Sequence, residues 1–244
     1  MNYEVDELKL YFGYDYQINK HITIRNPKVR DIVEYGEEEY FSLVSMLAAT
    51  PSDFIAPLAD CGIDWEKLTE YEFFHSLISK WVDPEATKIL LGDLNLQKMV
   101  LMKNKYDEVV MVGENGLLID ANIYRIIADT IRKIHSLERN VRKAGNAYTK
   151  ELMIDVDRED RRRSAEKPFK SVLRNTVSAM INTNGFKYGL NEILDMPYMA
   201  FMDSVNRTLA IKKADALSLG NVCGMADLSK VPKKEFNWLR DLTD

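Results

Sequence analysis

Cysteine is nearly absent from this 244-residue chain. Cys61 and Cys223 lie far apart, which allows one disulfide at most and no disulfide framework; two reduced thiols are the expected state. Histidine is as scarce. His21, His75 and His135 stand alone, with no second His or Cys at metal-ligand spacing, so each is expected to serve packing or the surface and not a reaction. The chain contains no G-x-x-x-x-G-K-[ST], no G-x-G-x-x-G and no G-x-S-x-G, which removes the common phosphate loops and the nucleophile elbow. It also lacks any apolar run near the roughly 18 residues that span a bilayer. Its opening, MNYEVDELKLYFG, is acidic where a secretory leader is basic and then greasy. These absences predict a non-enzymatic protein without cofactor or metal, away from membranes and retained where it is made.

What is present is ordinary for a globular protein: 46% hydrophobic and 29% charged residues, enough to bury a substantial core. The net charge of −5 is unevenly spread. Residues 1–120 hold 11 Lys+Arg against 22 Asp+Glu, and residues 121–244 hold 22 against 16. An acidic half and a basic half argue against general nucleic-acid binding and permit attraction between the halves or between copies.

Local patterns predict an α+β fold, mainly α, with an N-terminal β-hairpin, a small central antiparallel sheet and a helical C-terminal half. LKLYF and YQINKHITIR read as the hairpin strands with GYD between them. Asn26-Pro27 reads as a helix start. Behind it Val29, Val33, Tyr40, Val44 and Leu47 recur at helical spacing through Gly36, a glycine that suggests close approach of another element. Short helices follow in TPSDFIAPLADCG, in DWEKLTEYEFFHSLISKWV with Asp64 as cap and Phe73 or Phe74 inside, and in DPEATKILLG. LQKMVLMKN, EVVMVG and LLID form the central sheet, with Asn115-Gly116 as its second turn. Ile123, Ile127, Ile131 and Ile134 make a core stripe, leaving Asp129, Arg132 and Lys133 outside it. Further helices are predicted in NAYTKELMIDVDREDRRRSAEK, in FKSVLRNTVSAMINT after Pro168, in YMAFMDSVNRTLAIKKADALSLG stopping at Gly220, and in KKEFNWLRDL docking through Phe236 and Leu239. The best seam is Glu138 to Gly145, dividing 1–137 from 138–244, with both parts able to pack as one unit.

The most heavily charged stretch is VDREDRRRSAEKPFKS. Asp155, Asp157 and Glu159 would have to converge to hold a metal, but neighbours two apart on a helix face different ways. Asp157 with Arg161 and Glu159 with Arg163 are instead i, i+4 pairs in the favoured order. A helix held in water by its own charges is the preferred reading, and an anion-binding surface made of Arg161, Arg162 and Arg163 is the alternative. The aromatic clusters EYEFFH and EFNWLR are expected in the core, although Trp238 could anchor a partner if exposed.

Four stretches carry a wider likeness: LYFGYDYQINKHITIRNPKVRDIVEYGEEEYFSLV, CGIDWEKLTEYEFF, IRKIHSLERNVRKAGNAYTK and KPFKSVLRNTVSAMINTNGFKYGLNEILDMPYMAFMDSVNR. In these the chain resembles poorly characterised tail-gene-cluster proteins of tailed phages and prophages of Gram-positive bacteria, which are similar to tail assembly chaperones. The resemblance implies a helical binding protein that keeps the tape-measure protein soluble while the tail tube forms. Its partner would be the tape-measure or tail-tube protein, in the host cytoplasm, with self-association also open. A structural component of the tail or virion and a nucleic-acid-associated phage protein are the alternatives. No functional residues come with the family. From the residues themselves, Tyr198, Met202, Val205 and Leu209, one face of a predicted helix, together with Trp238, are the candidate partner-binding set.

Overall fold

The computed structural model describes residues 5–223 and 231–242. Their architecture is α+β and mainly helical, with an N-terminal hairpin, a three-stranded antiparallel sheet in the middle and a helical C-terminal half. None of the described helices is long and apolar enough to cross a membrane.

The chain begins differently from the sequence expectation. Residues of LKLYF form a helix, α1 (Glu7–Tyr11), because the Asp6 carboxylate accepts from the Lys9 amide as an N-cap and Leu10 supplies a buried anchor. The hairpin lies wholly in the next segment, where β1 (Tyr16–Gln17) pairs with β2 (Thr23–Ile24). Asn26 is not a helix cap. It is buried, and its amide donates to the Leu10 carbonyl at 2.6 Å, tying the end of α1 to the hairpin. Helix α2 (Val29–Tyr35) starts behind Lys28 instead. The helix expected to run through Gly36 is two helices, since Gly36 takes φ 106° and turns the chain into α3 (Glu37–Leu47). Among the described residues no distant element crowds this glycine; the positive φ is what requires it. Val33, counted with the core stripe, is exposed as a result.

After α4 (Ile55–Asp60) comes α5 (Glu70–Phe73), capped by Thr69 and Glu72 in a reciprocal box and not by Asp64. It continues through a π turn (Phe74–Ile78) into α6 (Ser79–Trp81). Phe73 and Phe74 are both buried, the first against Phe54 and the second against Tyr124. Helix α7 (Pro84–Leu91) follows the expected grammar of Asp83 cap and Gly92 stop. The sheet is β3 (Val100–Lys103), β4 (Val109–Val112) and β5 (Leu118–Ile119) in that order, and Asn115 and Gly116 both take the positive φ of a tight hairpin turn.

Helix α8 (Ala121–His135) buries Ile127, Ile131 and Ile134 in the core and ends at Ser136 in the left-handed conformation. Arg132, which lies outside the isoleucine stripe, is buried too: its Nε and Nη2 donate to the Ala48 carbonyl at 3.1 and 2.8 Å, closing the C-terminus of α3, and Glu70 pairs with it at 3.0 Å. The stretch Glu138 to Gly145 is strapped down, with Asn140 and Arg142 carbonyls accepting from Thr50, Ser52 and Trp65. Beyond it lie α9 (Ala147–Ala165), α10 (Val172–Ile181), α11 (Leu190–Asp195) and α12 (Tyr198–Cys223). Helix α10 starts after Phe169 with Ser171 as cap, and α12 runs past Gly220, which is not its stop. KKEFNWLRDL yields only a 3-10 turn (Lys233–Phe236), leaving Leu239 exposed. Most of the buried apolar residues form one cluster that joins Leu10, Tyr40, Phe73 and Ile131 to Leu173, Ile193 and Phe201.

Candidate functional site

The sequence-derived set does not gather into one surface. Tyr198 is buried, its ring between those of Phe41 and His135 at centroid distances of 5.6 and 5.5 Å. Met202 and Val205 pack on the same core. Leu209, further along α12, is 61% exposed and Trp238 is 45% exposed. The segment bearing Trp238 is latched to α12 by polar contacts: Arg207 donates to the Trp238 and Arg240 carbonyls at 2.7 Å, and Glu235 pairs with Lys213 at 2.7 Å and Arg240 at 3.1 Å.

A different surface is shaped to receive something. Helices α2, α10 and α11 enclose an open groove of about 590 Å³, the size of a side-chain or small-ligand site. Its lining is mainly aliphatic, with Val29 and Val33 from α2, Leu173, Val177 and Ile181 from α10, and Leu190 from α11, and it also includes Arg174, Ser178 and Asn191. Glu37 stands at one end and builds the groove. Its carboxylate accepts from Ser171 Oγ at 2.5 Å and from the amides of Val172 and Leu173 at 2.9 and 2.8 Å, so a residue of α3 caps α10 and satisfies its free N–H groups. On the other side α11 is fixed by buried Ile193, by Arg30 with Asp195 at 3.3 Å, and by the Val29 amide donating to the Met196 carbonyl at 3.0 Å. Sequence reasoning missed this groove. The available signal was α10 itself, which has Leu173 and Met180 for the core and still leaves Val172 and Ile181 outside.

Two histidines are buried, and each is engaged locally. His135 Nδ1 lies 2.7 Å from the Ile131 carbonyl, which can only accept, so Nδ1 carries the proton and Nε2 accepts from the Tyr40 hydroxyl at 2.5 Å. Burial lowers the His135 pKa to about 4 and raises that of Tyr40, keeping the pair neutral. His75 sits in the π turn beside an open pocket of about 470 Å³ that also holds Glu72, Glu108 and Asp120. Its pKa is lowered by burial, with Glu72 opposing. The groups around it have structural partners: Ser76 Oγ lies 3.1 Å from His75 Nδ1, Tyr71 donates to the Ile119 carbonyl, Glu72 accepts from Thr69, and Asp120 caps α8. His21 is in the hairpin turn and not in a strand.

The charged stretch on α9 behaves largely as its spacing predicts. Asp157 pairs with Arg161 at 2.9 Å and Glu159 with Arg163 at 2.8 Å, while Arg162 also bonds Glu159 and Asp155 bonds Arg158. The three acids therefore diverge to separate partners. Its own charges are not all that holds this helix, however, because Asp157 also accepts from the Ala56 amide of α4 at 2.8 Å and Arg161 donates to the Asp53 carbonyl.

Compared with known proteins, the chain matches no family model, no curated protein and no solved structure at a significant level.

Proposed function

We propose that this chain is a non-catalytic phage tail assembly protein, a chaperone that holds an apolar helical segment of the tape-measure protein. The observation that supports a binding role is the groove between α2, α10 and α11: an aliphatic trough, open to solvent and built by an inter-helix cap at Glu37, is suited to the apolar face of a partner helix. The phage assignment rests on the resemblance of the four stretches quoted above. Binding would be reversible, since a holding protein must release its client as the tube closes around it.

Co-expression with the tape-measure protein encoded in the same genome tests the reading. The wild-type chain is expected to raise the soluble yield of that protein and to co-purify with it, and Val33→Asp with Ile181→Asp, both at exposed positions in the groove, to abolish both effects. No gain in solubility and no co-purification would defeat the proposal. Recovery of the chain at stoichiometric level in purified mature particles would favour a structural role instead.

A further inference from the structure

Among the described residues, no strand pairs with the outer side of β3 in the central sheet. Order β3-β4-β5 places β3 outermost, and all four of its residues are exposed. Val100, Leu101 and Met102 are 63, 42 and 54% exposed, so the strand is bare on both faces while its neighbour β4 buries Val110 and Met111. Open edges are normally blunted by charge, proline or a bulge. Here the charge sits only at the end of the strand, at Lys103, and the run Val100-Leu101-Met102 carries no charge, proline or bulge.

The register fixes which backbone groups are free. Antiparallel pairs alternate between hydrogen-bonded and non-bonded types. The Asn104 amide donates to the Glu108 carbonyl at 2.9 Å, so the alternation makes Met102↔Val110 and Val100↔Val112 bonded pairs and Leu101↔Met111 and Lys103↔Val109 non-bonded ones. The far side of β4 agrees: Gly113 donates to the Leu117 carbonyl, and two residues on Met111 spends its backbone on Ile119. The N–H and C=O of Leu101 and of Lys103 therefore point outward, away from β4.

We infer that β3 is a docking edge for an extended segment of another protein, one with apolar residues at alternate positions and carboxylates at its ends. Backbone groups of Leu101 and Lys103 would supply the ladder, and Val100, Leu101 and Met102 the side-chain contacts. Charge selects the occupant. Residues 98–105 carry Lys98, Lys103 and Lys105 and no acid; Lys103 pairs with Asp107 in the turn, while Lys105 lies over the Tyr106 ring. An acidic-ended strand meets these lysines with opposite sign. None of the groove residues lies on this edge, and the inference does not depend on the chaperone reading.

The test uses a fluorescein-labelled heptapeptide of alternating valine and threonine with a glutamate at each end. The full chain should raise its anisotropy saturably, and the same peptide with lysine ends should bind about tenfold or more weakly. Leu101→Pro deletes an outward N–H without removing any bond to β4, and proline is tolerated at such edge positions; affinity should fall about tenfold. Hydrogen exchange on the wild-type chain gives a reading independent of any variant: peptide should slow the Leu101 and Lys103 amides and leave Met102 unchanged. Absence of saturable binding, equal binding of both peptides, protection gained elsewhere, or a dimer in sedimentation that Leu101→Pro dissociates would each overturn the proposal.

Discussion

Helices α8 and α9 are neighbours in the chain and are held by different physics. Of the fifteen residues of α8, nine are buried, three of them isoleucines on its core stripe. None of the nineteen residues of α9 is buried. Helix α9 meets α4 and the segments on either side of it through a mixed stripe at helical spacing, Lys150, Met153, Ile154, Asp157 and Arg161, in which two partly buried apolar residues sit among three charged ones. Lys150 reaches Asp64 at 2.5 Å and Glu66 at 2.8 Å and covers the Trp65 ring. The difference teaches that a helix with no fully buried residue can be placed firmly by directional polar contacts.

Truncating an apolar side chain on each helix gives the largest contrast. Ile131→Ala should destabilise by about 2–5 kcal/mol, because the side chain is fully enclosed and leaves a cavity. Leu152→Ala on α9, at a half-exposed position, should change stability by less than about 0.5 kcal/mol. Urea unfolding of both variants checks this, and equal losses would erase the distinction.

Acid gives the next contrast. His135 at the end of α8 is neutral in the fold, with its pKa lowered to about 4 by burial. The unfolded chain takes up its proton near the ordinary pKa of about 6.5. Between these values the unfolded state binds more protons, so stability falls as pH falls, by roughly 3 kcal/mol across the window. His135→Gln, which keeps an acceptor for Tyr40, should flatten that slope in urea titrations at stepped pH. Asp64 and Glu66, whose pKa values are lowered by hydrogen bonds from Lys150, lose their contribution only on further acidification, when their carboxylates protonate. The core helix should therefore respond to acid before the polar one.

Much of the fold was legible where one force dominated. The isoleucine stripe of α8, the Asp83 and Gly92 bounds of α7, and the Asn115-Gly116 turn each follow from a single local rule. Three of the failures share a cause, which is a polar group serving a distant partner. Asn26 reads as a cap but secures α1, Arg132 reads as lying outside the core stripe but closes α3, and Glu37, a residue of α3, caps α10. The groove was illegible for the same reason: its wall is positioned by Glu37, and Val33 faces outward only because Gly36 breaks the helix. The stripe from Tyr198 to Leu209 was correctly periodic, but periodicity cannot say that its first part meets the core and its last part meets solvent.

The smallest expected effects sharpen the account of α9 itself. Two of its side chains reach α4, and they should not be equivalent. Asp157 accepts from the Ala56 amide, an N-terminal donor of α4 whose own N-cap residue, Phe54, provides no side-chain acceptor. It thus acts as an N-cap supplied from another helix, and Asp157→Ala should cost about 1–2 kcal/mol. Arg158 instead pairs with Asp60 at 2.7 Å, with both side chains more than half exposed. Water screens that pair, so Arg158→Ala should cost at most about 0.5 kcal/mol, and that cost should shrink further in high salt. Urea titrations at low and high ionic strength separate the two. A salt-insensitive loss at Asp157 beside a small, salt-sensitive one at Arg158 would mean that α9 is held by the backbone donor it satisfies, and that its many ion pairs mainly keep it a helix in water.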